Sequence, residues 1–267
     1  MGFALTAGVD RLRAVQALID FAFKELGCVH LEVMDRALTV NDLGGLGVQH
    51  RGCPGFEIDL TRDEDELFSD MTSACRRCVR KSEKERVIIE EAHDLKFADE
   101  YYAQLQDVFA KQSLVPTYDI QRVRQLITYV HPTGHLLLLR ARDRGGRCIA
   151  TGIFPHMNGV MYFWGGASWR HHQLLRPNEA IQWHAMQIGK QNGLRTYDMG
   201  GGGEYKRKYG GRKIEVLWFR KSKYPWISYL RDIALRCHKV RQRGLGHFKR
   251  LRTRENFLRQ DGKGVKT

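Results

Sequence analysis

The chain has 267 residues, of which 42% are hydrophobic and 10% aromatic, enough to bury a core and to exclude a wholly disordered protein. Apolar runs such as the four leucines at 136–139 are far short of the ~18–20 residues that a membrane-spanning helix needs. Because the start lacks the basic region and apolar core of a secretory signal, we expect a cytoplasmic protein.

The net charge of +14 is very unevenly distributed along the chain. Residues 220–267 hold fifteen Lys and Arg against three acidic residues, so this segment carries +12 of the total. The remaining body is close to neutral. The basic character therefore describes a C-terminal tail and does not by itself predict a nucleic-acid-binding body.

The cysteine pattern favours structural roles. Only Cys75 and Cys78 form a C-x-x-C pair, and a structural zinc site needs a second pair or suitably spaced histidines. His171, His172 and His184 match no standard zinc spacing. We therefore predict no metal site, and six scattered cysteines fit a reducing cytoplasm.

Apolar residues at helical spacing, with caps and glycine stops, predict five longer helices and a short basic one. The acidic run at 63–66 suits the start of the second, because negative charge is stabilised at a helix N-terminus. The predicted helices span residues 10–26, 63–86, 97–113, 119–130, 178–192 and 204–209.

Alternating or apolar runs bounded by turn residues predict strands between these helices. The order from residue 97 onward is α-α-β-β-β-α-β-α-β, and residues 10–60 give a shorter version of its end. The sequence therefore predicts a mixed α/β fold with helices on both faces of a sheet, built as a partial first unit followed by a complete one. The predicted strands span 28–34, 56–60, 87–92, 135–141, 147–154, 159–167, 194–199 and 213–220.

Three stretches together carry a family resemblance: Met71–Ala92, Leu174–Gly202 and GEYKRKYGG at 203–211. Their order resembles that of the FemAB-like peptidyltransferases and related acetyltransferase-like proteins of the GNAT superfamily, over roughly Gly55–Phe219. Tyr205 and Tyr209 stand where that family usually has phenylalanine. The resemblance implies a GNAT-like fold and three segments: a partial first unit at 1–62, a complete unit at 63–222 and a basic tail at 223–267.

The activity implied by the resemblance is transfer of an acyl or aminoacyl group onto an amine, in peptidoglycan or polysaccharide precursor metabolism. The acyl donor is a cosubstrate, either aminoacyl-tRNA or acyl-CoA, and no bound cofactor is expected. Family members usually carry two complete units, so the short front leaves substrate choice and activity open. The acceptor would be a small or lipid-linked envelope precursor.

Lys206 is the first predicted catalytic residue, because acyl transfer builds negative charge on a carbonyl oxygen that a nearby cation stabilises. Asp198 ends an apolar strand, where it could take a proton from the amine or cap the following turn. Tyr197 is grouped with it as a polar side chain of the cleft. For Lys206, Arg207 and Lys208, the alternative is a solvated helix face.

Further residues are predicted to bind substrate or donor. Arg76 and Arg80 are i,i+4 neighbours that could clamp a phosphate, although such charge runs are usually solvated. Arg176 and Asn178 begin the helix that in GNAT enzymes faces the acyl-CoA pyrophosphate. The preceding loop lacks the usual glycines, which argues against ordinary CoA binding. The other predicted binding residues are Trp164, Gly201, Gly202, Tyr205 and Arg207.

The tail predicts a basic amphipathic helix, since apolar residues recur at near-helical spacing over 226–242. Such a helix could lie on an anionic membrane at its inner face, bind tRNA through phosphates, or dock on the body. Two alternatives to the envelope transferase therefore stand: an acyl-CoA N-acetyltransferase, and a degenerate transferase that binds membrane or RNA through its tail.

Overall fold

The computed structural model describes residues 3, 5–6, 8–112, 114–238 and 240–241. The described chain divides into two compact units. The first is built from residues up to 55 together with 201–203 and 213–239, and the second from 56–200 and 204–212, with the described residues 240–241 assigned to it as well. The predicted boundaries at 62 and 222 remain a prediction, and the part of the tail after residue 241 lies outside the described residues.

The helices follow the predicted spacing closely. Asp10 caps the first through the Arg13 amide, and Asp63 and Glu66 form a capping box at the start of the second. Two of the helices end in a π-helical turn, at Phe21–Glu25 and Leu126–Val130. The α-helices are α1 Arg11–Asp20, α2 Glu64–Asp70, α3 Ser73–Lys84, α4 Lys96–Lys111, α5 Ile120–Gln125, α6 Pro177–Gln191 and α7, which covers 225–238 and 240–241.

Nine strands and several 3₁₀ turns complete the described chain. The 3₁₀ segments include Asn41–Leu43, Arg170–Leu175 and Glu204–Tyr209. The last of these is the short basic helix that the sequence predicts. The strands are β1 His30–Asp35, β2 Gln49–Asp59, β3 Ile88–Glu91, β4 Leu136–Arg142, β5 Cys148–Met157, β6 Val160–Tyr162, β7 Gly165–Ser168, β8 Thr196–Gly201 and β9 Arg212–Ser222.

In the first unit, β1 pairs antiparallel with β9, with His30 opposite Ser222 and Asp35 opposite Leu217. Val15 and Ile19 of α1 are buried in one cluster with Leu217 and Phe219 of β9. The apolar stripe of α1 therefore supplies one side of this unit's core.

In the second unit the strand order is β8-β6-β5-β4-β3, and β7 pairs with β5. Alternate residues of β4 enter different apolar clusters: Leu137 and Leu139 pack in the one that includes α3 and α6, whereas Leu136 and Leu138 pack in the one that includes α4 and α5. Because side chains alternate across a strand, both faces of the sheet are covered. This confirms the predicted mixed α/β architecture and explains why four leucines in a row are buried.

Three predicted elements were wrong in their extent. The helix predicted at 63–86 breaks after Asp70, because Met71 is extended and the Thr72 hydroxyl caps a new helix through the Cys75 amide at 3.3 Å. The strand predicted at 56–60 begins earlier, at Gln49, as β2, and Asn41–Leu43, where no helix or strand was predicted, forms a 3₁₀ turn. The strand predicted at 159–167 is two strands, β6 and β7.

Candidate functional site

The break between β6 and β7 opens a cavity in the second unit. β6 runs parallel to β8, with Tyr162 opposite Asp198, and the Phe163 amide then donates to the Asp198 carbonyl at 2.8 Å. Among the described residues, β7 pairs with β5 alone. The sheet therefore parts beyond residue 163, and space opens beside β7 and the start of α6.

The cavity at this divergence has a volume of about 260 Å³. That size suits a small acyl group, since pockets for drug-sized ligands begin near ~300 Å³. Its wall mixes apolar side chains with several polar ones. The lining residues are Val108, Thr151, Phe163, Gly166, Ala167, Ser168, Gln173, Asn178, Glu179, Ile181, Gln182, Tyr205, Lys208 and Tyr209.

A buried carboxylate and a lysine meet on the cavity wall. The Lys208 Nζ donates to Glu179 Oε1 at 2.7 Å, and the Glu179 side chain is only 9% exposed. Glu179 lies in the first turn of α6, where the helix dipole favours negative charge. A carboxylate can accept a proton or bind an ammonium, and a lysine can stabilise a developing oxyanion.

The start of α6 also positions Asn178 at the cavity. Its Nδ2 donates to the Ser168 Oγ of β7 at 3.0 Å. Arg176, which immediately precedes the helix, is in the left-handed region with φ of 59°, a conformation that favours glycine. Of the two residues predicted to bind the donor, Asn178 lines the cavity and Arg176 adopts a strained backbone beside it.

The three predicted catalytic residues are buried and do not line the cavity. The Tyr197 hydroxyl donates to Gln182, which does line it. Asp198 accepts from the Gly200 amide at 2.7 Å, and Lys206 Nζ donates to the Met199 carbonyl at 2.6 Å. Burial lowers the pKa of Lys206, and the Asp198 charge opposes that shift. The catalytic roles of these residues remain a prediction.

Of the other residues predicted near the cleft, one lines the cavity and two lie outside it. Tyr205 lines the cavity, whereas Arg207 is exposed and does not. Trp164 packs against Tyr118, with ring centroids 5.1 Å apart, as part of the apolar cluster under α4 and α5. These contacts are those of a core aromatic residue, and Trp164 does not line the cavity.

The glycine run after Asp198 contains a residue in the left-handed region. Gly200 has φ of 72°, and a Cβ there would lie 3.1 Å from the Tyr162 hydroxyl. In the first unit, a Cβ on Gly202 would meet Pro54 at 2.8 Å, whereas one on Gly201 would have no atom within 4 Å. Conformation at Gly200 and close packing at Gly202 account for glycine at these two positions.

Arg76 and Arg80 connect α3 to α2 and lie away from the cavity wall. Arg76 Nη1 donates to the carbonyls of Ser69 and Met71, both at 2.5 Å, at the C-terminal end of α2. The Arg80 guanidinium lies over the Phe68 ring, 5.4 Å from its centroid. Each has a structural contact, and their predicted role in binding an acceptor remains untested.

The cysteine pair lies in α3, as its helical pattern indicates. Cys75 is buried, and burial raises the pKa of its thiol to about 11, so at neutral pH the thiol stays protonated and unreactive. Within the described part of the chain, no group of three or more His, Cys, Asp or Glu could hold a metal ion.

A second, larger cavity of about 620 Å³ contains none of the predicted site residues. Four of the six charged side chains that line it are paired with one another, Arg62 with Asp70 and Arg212 with Glu57. The smaller cavity, which brings together Asn178, Tyr205 and the Glu179–Lys208 pair, is therefore the better candidate site.

Sequence reasoning missed Glu179, Gln182 and Ser168, and preferred Lys206 to Lys208. One signal was available for Glu179, because an acidic residue two positions after Pro177 falls in the first turn of a helix whose N-terminus was already predicted to face a ligand. No comparable signal separated Lys206 from Lys208, since a six-residue 3₁₀ segment gives no clear face in sequence.

The chain is similar in fold to several proteins of known structure. No curated protein sequence matches the chain. FemX is similar in fold, with a TM-score of 0.68 at 15% identity over 79% of this chain and 78% of that one. The C-terminal DUF2156 domain of a putative lysylphosphatidylglycerol synthetase from Agrobacterium fabrum has a TM-score of 0.60 at 9% identity, over 83% of this chain and 77% of that one.

L-PGS from Bacillus licheniformis has a TM-score of 0.57 at 10% identity, over 80% of this chain and 74% of that one. At such low identity these likenesses establish the fold. The family is established by sequence, because the model of the acetyltransferase (GNAT) domain matches residues 69–208, more than half of the chain, and covers every residue that lines the candidate site except Tyr209. The chain belongs to the GNAT acetyltransferase domain family.

Proposed function

We propose that this GNAT protein is a FemAB-like acyl- or aminoacyltransferase that acts on an amine in cell-envelope precursor metabolism. The observation that carries the proposal is the Glu179–Lys208 pair on the wall of the 260 Å³ cavity. In such a transfer the amine nitrogen bonds to the acyl carbon. The bond from that carbon to the donor oxygen or sulfur breaks, and the amine proton leaves with the donor.

In this proposal Glu179 receives the proton of the attacking amine, and Lys208 stabilises the negative charge that develops on the acyl oxygen. Both side chains line the cavity, and their separation of 2.7 Å keeps them within reach of one small group. The buried position of Glu179 strengthens its interaction with Lys208, because water screens it little.

Lys206, Asp198 and Tyr197 then act as positioning residues. Lys206 fixes the Met199 carbonyl, Asp198 fixes the Gly200 amide, and Tyr197 holds the Gln182 amide on the cavity wall. Each contact sets the course of β8 or α6 at the place where the sheet parts. Their loss would displace the groups that contact substrate.

The donor in this proposal is an aminoacyl-tRNA. The loop before α6 has no glycine between Gln173 and Asn178, unlike the usual CoA-binding loop that the family resemblance implies. Acyl-CoA is the second candidate donor, supported by the description of the matching family as acetyltransferases.

The envelope acceptor and a cytoplasmic location at the inner membrane face also belong to the proposal. One similar structure is named as a putative lysylphosphatidylglycerol synthetase, a name that joins an amino acid to a lipid. Among the described residues, no helix has both the length and the apolar composition to cross a bilayer. A lipid-linked acceptor would accordingly be met at the membrane surface.

The proposal is tested by mass spectrometry of envelope precursors from cells that have the gene, lack it, or carry Glu179→Gln. We expect a precursor mass increased by an aminoacyl residue only with the intact protein. Identical precursors in all three strains would exclude the envelope function. Titration of the purified full chain with acetyl-CoA in a calorimeter separates the donors: saturable heat would favour acyl-CoA, and its absence would count against it.

A further inference from the structure

Helix α7 packs against the first unit through its polar side. Arg231 Nη2 donates to Glu32 of β1 at 2.6 Å, and Arg220 of β9 donates to both carboxylate oxygens of Asp232 at 2.7 and 3.0 Å. The Ser228 and Ser222 hydroxyls are 2.6 Å apart. Amphipathic helices of globular proteins normally pack by their apolar side, so this helix is docked the opposite way.

The apolar side of α7 consequently lies in solvent. Residues 226, 230, 233 and 237 are spaced by three or four positions and share one helix face, which we call the apolar stripe together with the adjacent Tyr229. The exposed fractions are 59% for Trp226, 68% for Tyr229 and 52% for Leu230. Tyr224 stacks on Trp226, with ring centroids 6.0 Å apart, and extends the stripe toward β9.

The charge around the stripe is positive. Asp232 and Glu32 are paired with Arg220 and Arg231, and the Arg220 contact lowers the pKa of Asp232 to about 2. Arg236 and Arg241 are exposed on the same helix. The sequence after residue 241 adds eight basic residues against two acidic ones.

We propose that α7 is a membrane-surface helix, which lies in the plane of an anionic bilayer with its apolar stripe in the boundary between headgroups and acyl chains. Aromatic and aliphatic side chains supply the insertion, and the flanking arginines meet lipid phosphates. This proposal is independent of the transfer activity, because it rests on residues of the first unit and the candidate active site lies in the second.

The apolar stripe and its surrounding charge fit a lipid bilayer better than they fit an RNA or a second copy of the chain. An RNA would engage the basic residues through its phosphates but would leave aliphatic Leu230 and Ile233 in water. A second copy that covered the stripe would bring two sets of arginines and two strongly basic tails together, and the repulsion would oppose pairing. A surface of anionic lipid satisfies both the apolar side chains and the charge.

The test uses the full chain and flotation with vesicles of phosphatidylcholine, with and without 30% phosphatidylglycerol. We expect binding to the anionic vesicles and, with brominated acyl chains, quenching of tryptophan fluorescence. The variant Trp226→Ser/Leu230→Ser/Ile233→Ser should lower the partition coefficient by about tenfold or more, because the apolar contribution to insertion is removed. Trp226→Phe should retain binding and lose most of the quenching.

A matched control removes equally exposed apolar side chains elsewhere, through Val40→Ser/Tyr129→Ser/Met157→Ser, and should bind like the unaltered chain. Equal vesicle binding by the stripe variant would overturn the proposal. So would a dimer that the stripe variant converts to a monomer in sedimentation equilibrium. RNA binding by the unaltered chain that the stripe variant loses, with vesicle binding unchanged, would assign the surface to RNA.

Discussion

Two lysines two positions apart in the chain have different environments. Lys206 is buried and hydrogen-bonded to the Met199 carbonyl, whereas Lys208 reaches the cavity and pairs with Glu179. The difference arises from the tight 3₁₀ turn over Glu204–Tyr209, in which alternate side chains point in different directions. The place of a lysine within a sequence motif therefore does not establish that its side chain contacts substrate.

Gly200 gives a direct test of the turn that ends β8. We expect Gly200→Ala to lower the free energy of unfolding by about 1–2 kcal/mol, because alanine is strained at positive φ and its Cβ would press on the Tyr162 hydroxyl. Gly201→Ala is the control, since it has open space, and should change stability by less than ~0.5 kcal/mol. Urea unfolding of both variants measures the difference, and equal stabilities would contradict the role of the turn.

Substitution of Arg176 distinguishes an effect on donor binding from an effect on stability. Its φ of 59° suits glycine, so Arg176→Gly should leave the melting temperature unchanged or slightly raised. If Arg176 contacts the phosphates of the donor, the same variant should raise the KM for the donor about tenfold, the loss of one charge-assisted contact of ~1.4 kcal/mol. An unaltered KM would remove Arg176 from the donor site.

At the scale of elements, the interruption between α2 and α3 depends on Arg76. Its guanidinium binds two carbonyls at the end of α2, so Arg76→Met should lower the free energy of unfolding by about 1–2 kcal/mol. Arg77→Met, at the next and exposed position, should have little effect. If Arg76→Met instead left stability intact and weakened acceptor binding, the original substrate-binding prediction would be correct.

The ion pair between Arg140 of β4 and Asp94, just before α4, predicts that the stability of the protein depends on pH. Hydrogen bonds from Arg140 lower the pKa of Asp94 from 3.8 to about 2. A carboxylate whose pKa is lowered by folding stabilises the protein above its unfolded pKa, and this contribution is lost as pH falls through the folded one. Asp94→Asn should therefore lower the melting temperature at pH 7, and the difference should narrow between about pH 4 and pH 2. A difference independent of pH would contradict this.

Helices and strands were largely predictable because both faces of the sheet are covered and each element carries its own periodicity. The division of residues 159–167 into β6 and β7 was not, since it depends on pairing with β5 and β8, which are distant in sequence. The same limit applies to the site, because Glu179 and Lys208 come together only through the packing of α6 on the turn after β8.

At the scale of the whole molecule, most of the positive net charge belongs to the C-terminal segment and little to the rest of the chain. The second unit carries the GNAT match and the candidate site, and the first unit includes α7 with its exposed apolar stripe. The sequence predicted that basic character belonged to the tail and that the tail begins as an amphipathic helix. It did not predict that the helix would dock by its polar side, because the ion pair between Arg231 and Glu32 joins residues 199 positions apart in the chain.

The central claim is that the cavity beside β7 and α6 is the active site, and transfer rates of paired variants test it most directly. Glu179→Gln and Lys208→Met should each lower kcat/KM by about 10²-fold or more, the usual size of a lost general base or oxyanion contact. Their exposed counterparts on α3, Glu83→Gln and Lys84→Met, should retain the full rate. Unchanged rates in the cavity variants, with folding intact by circular dichroism, would contradict the claim.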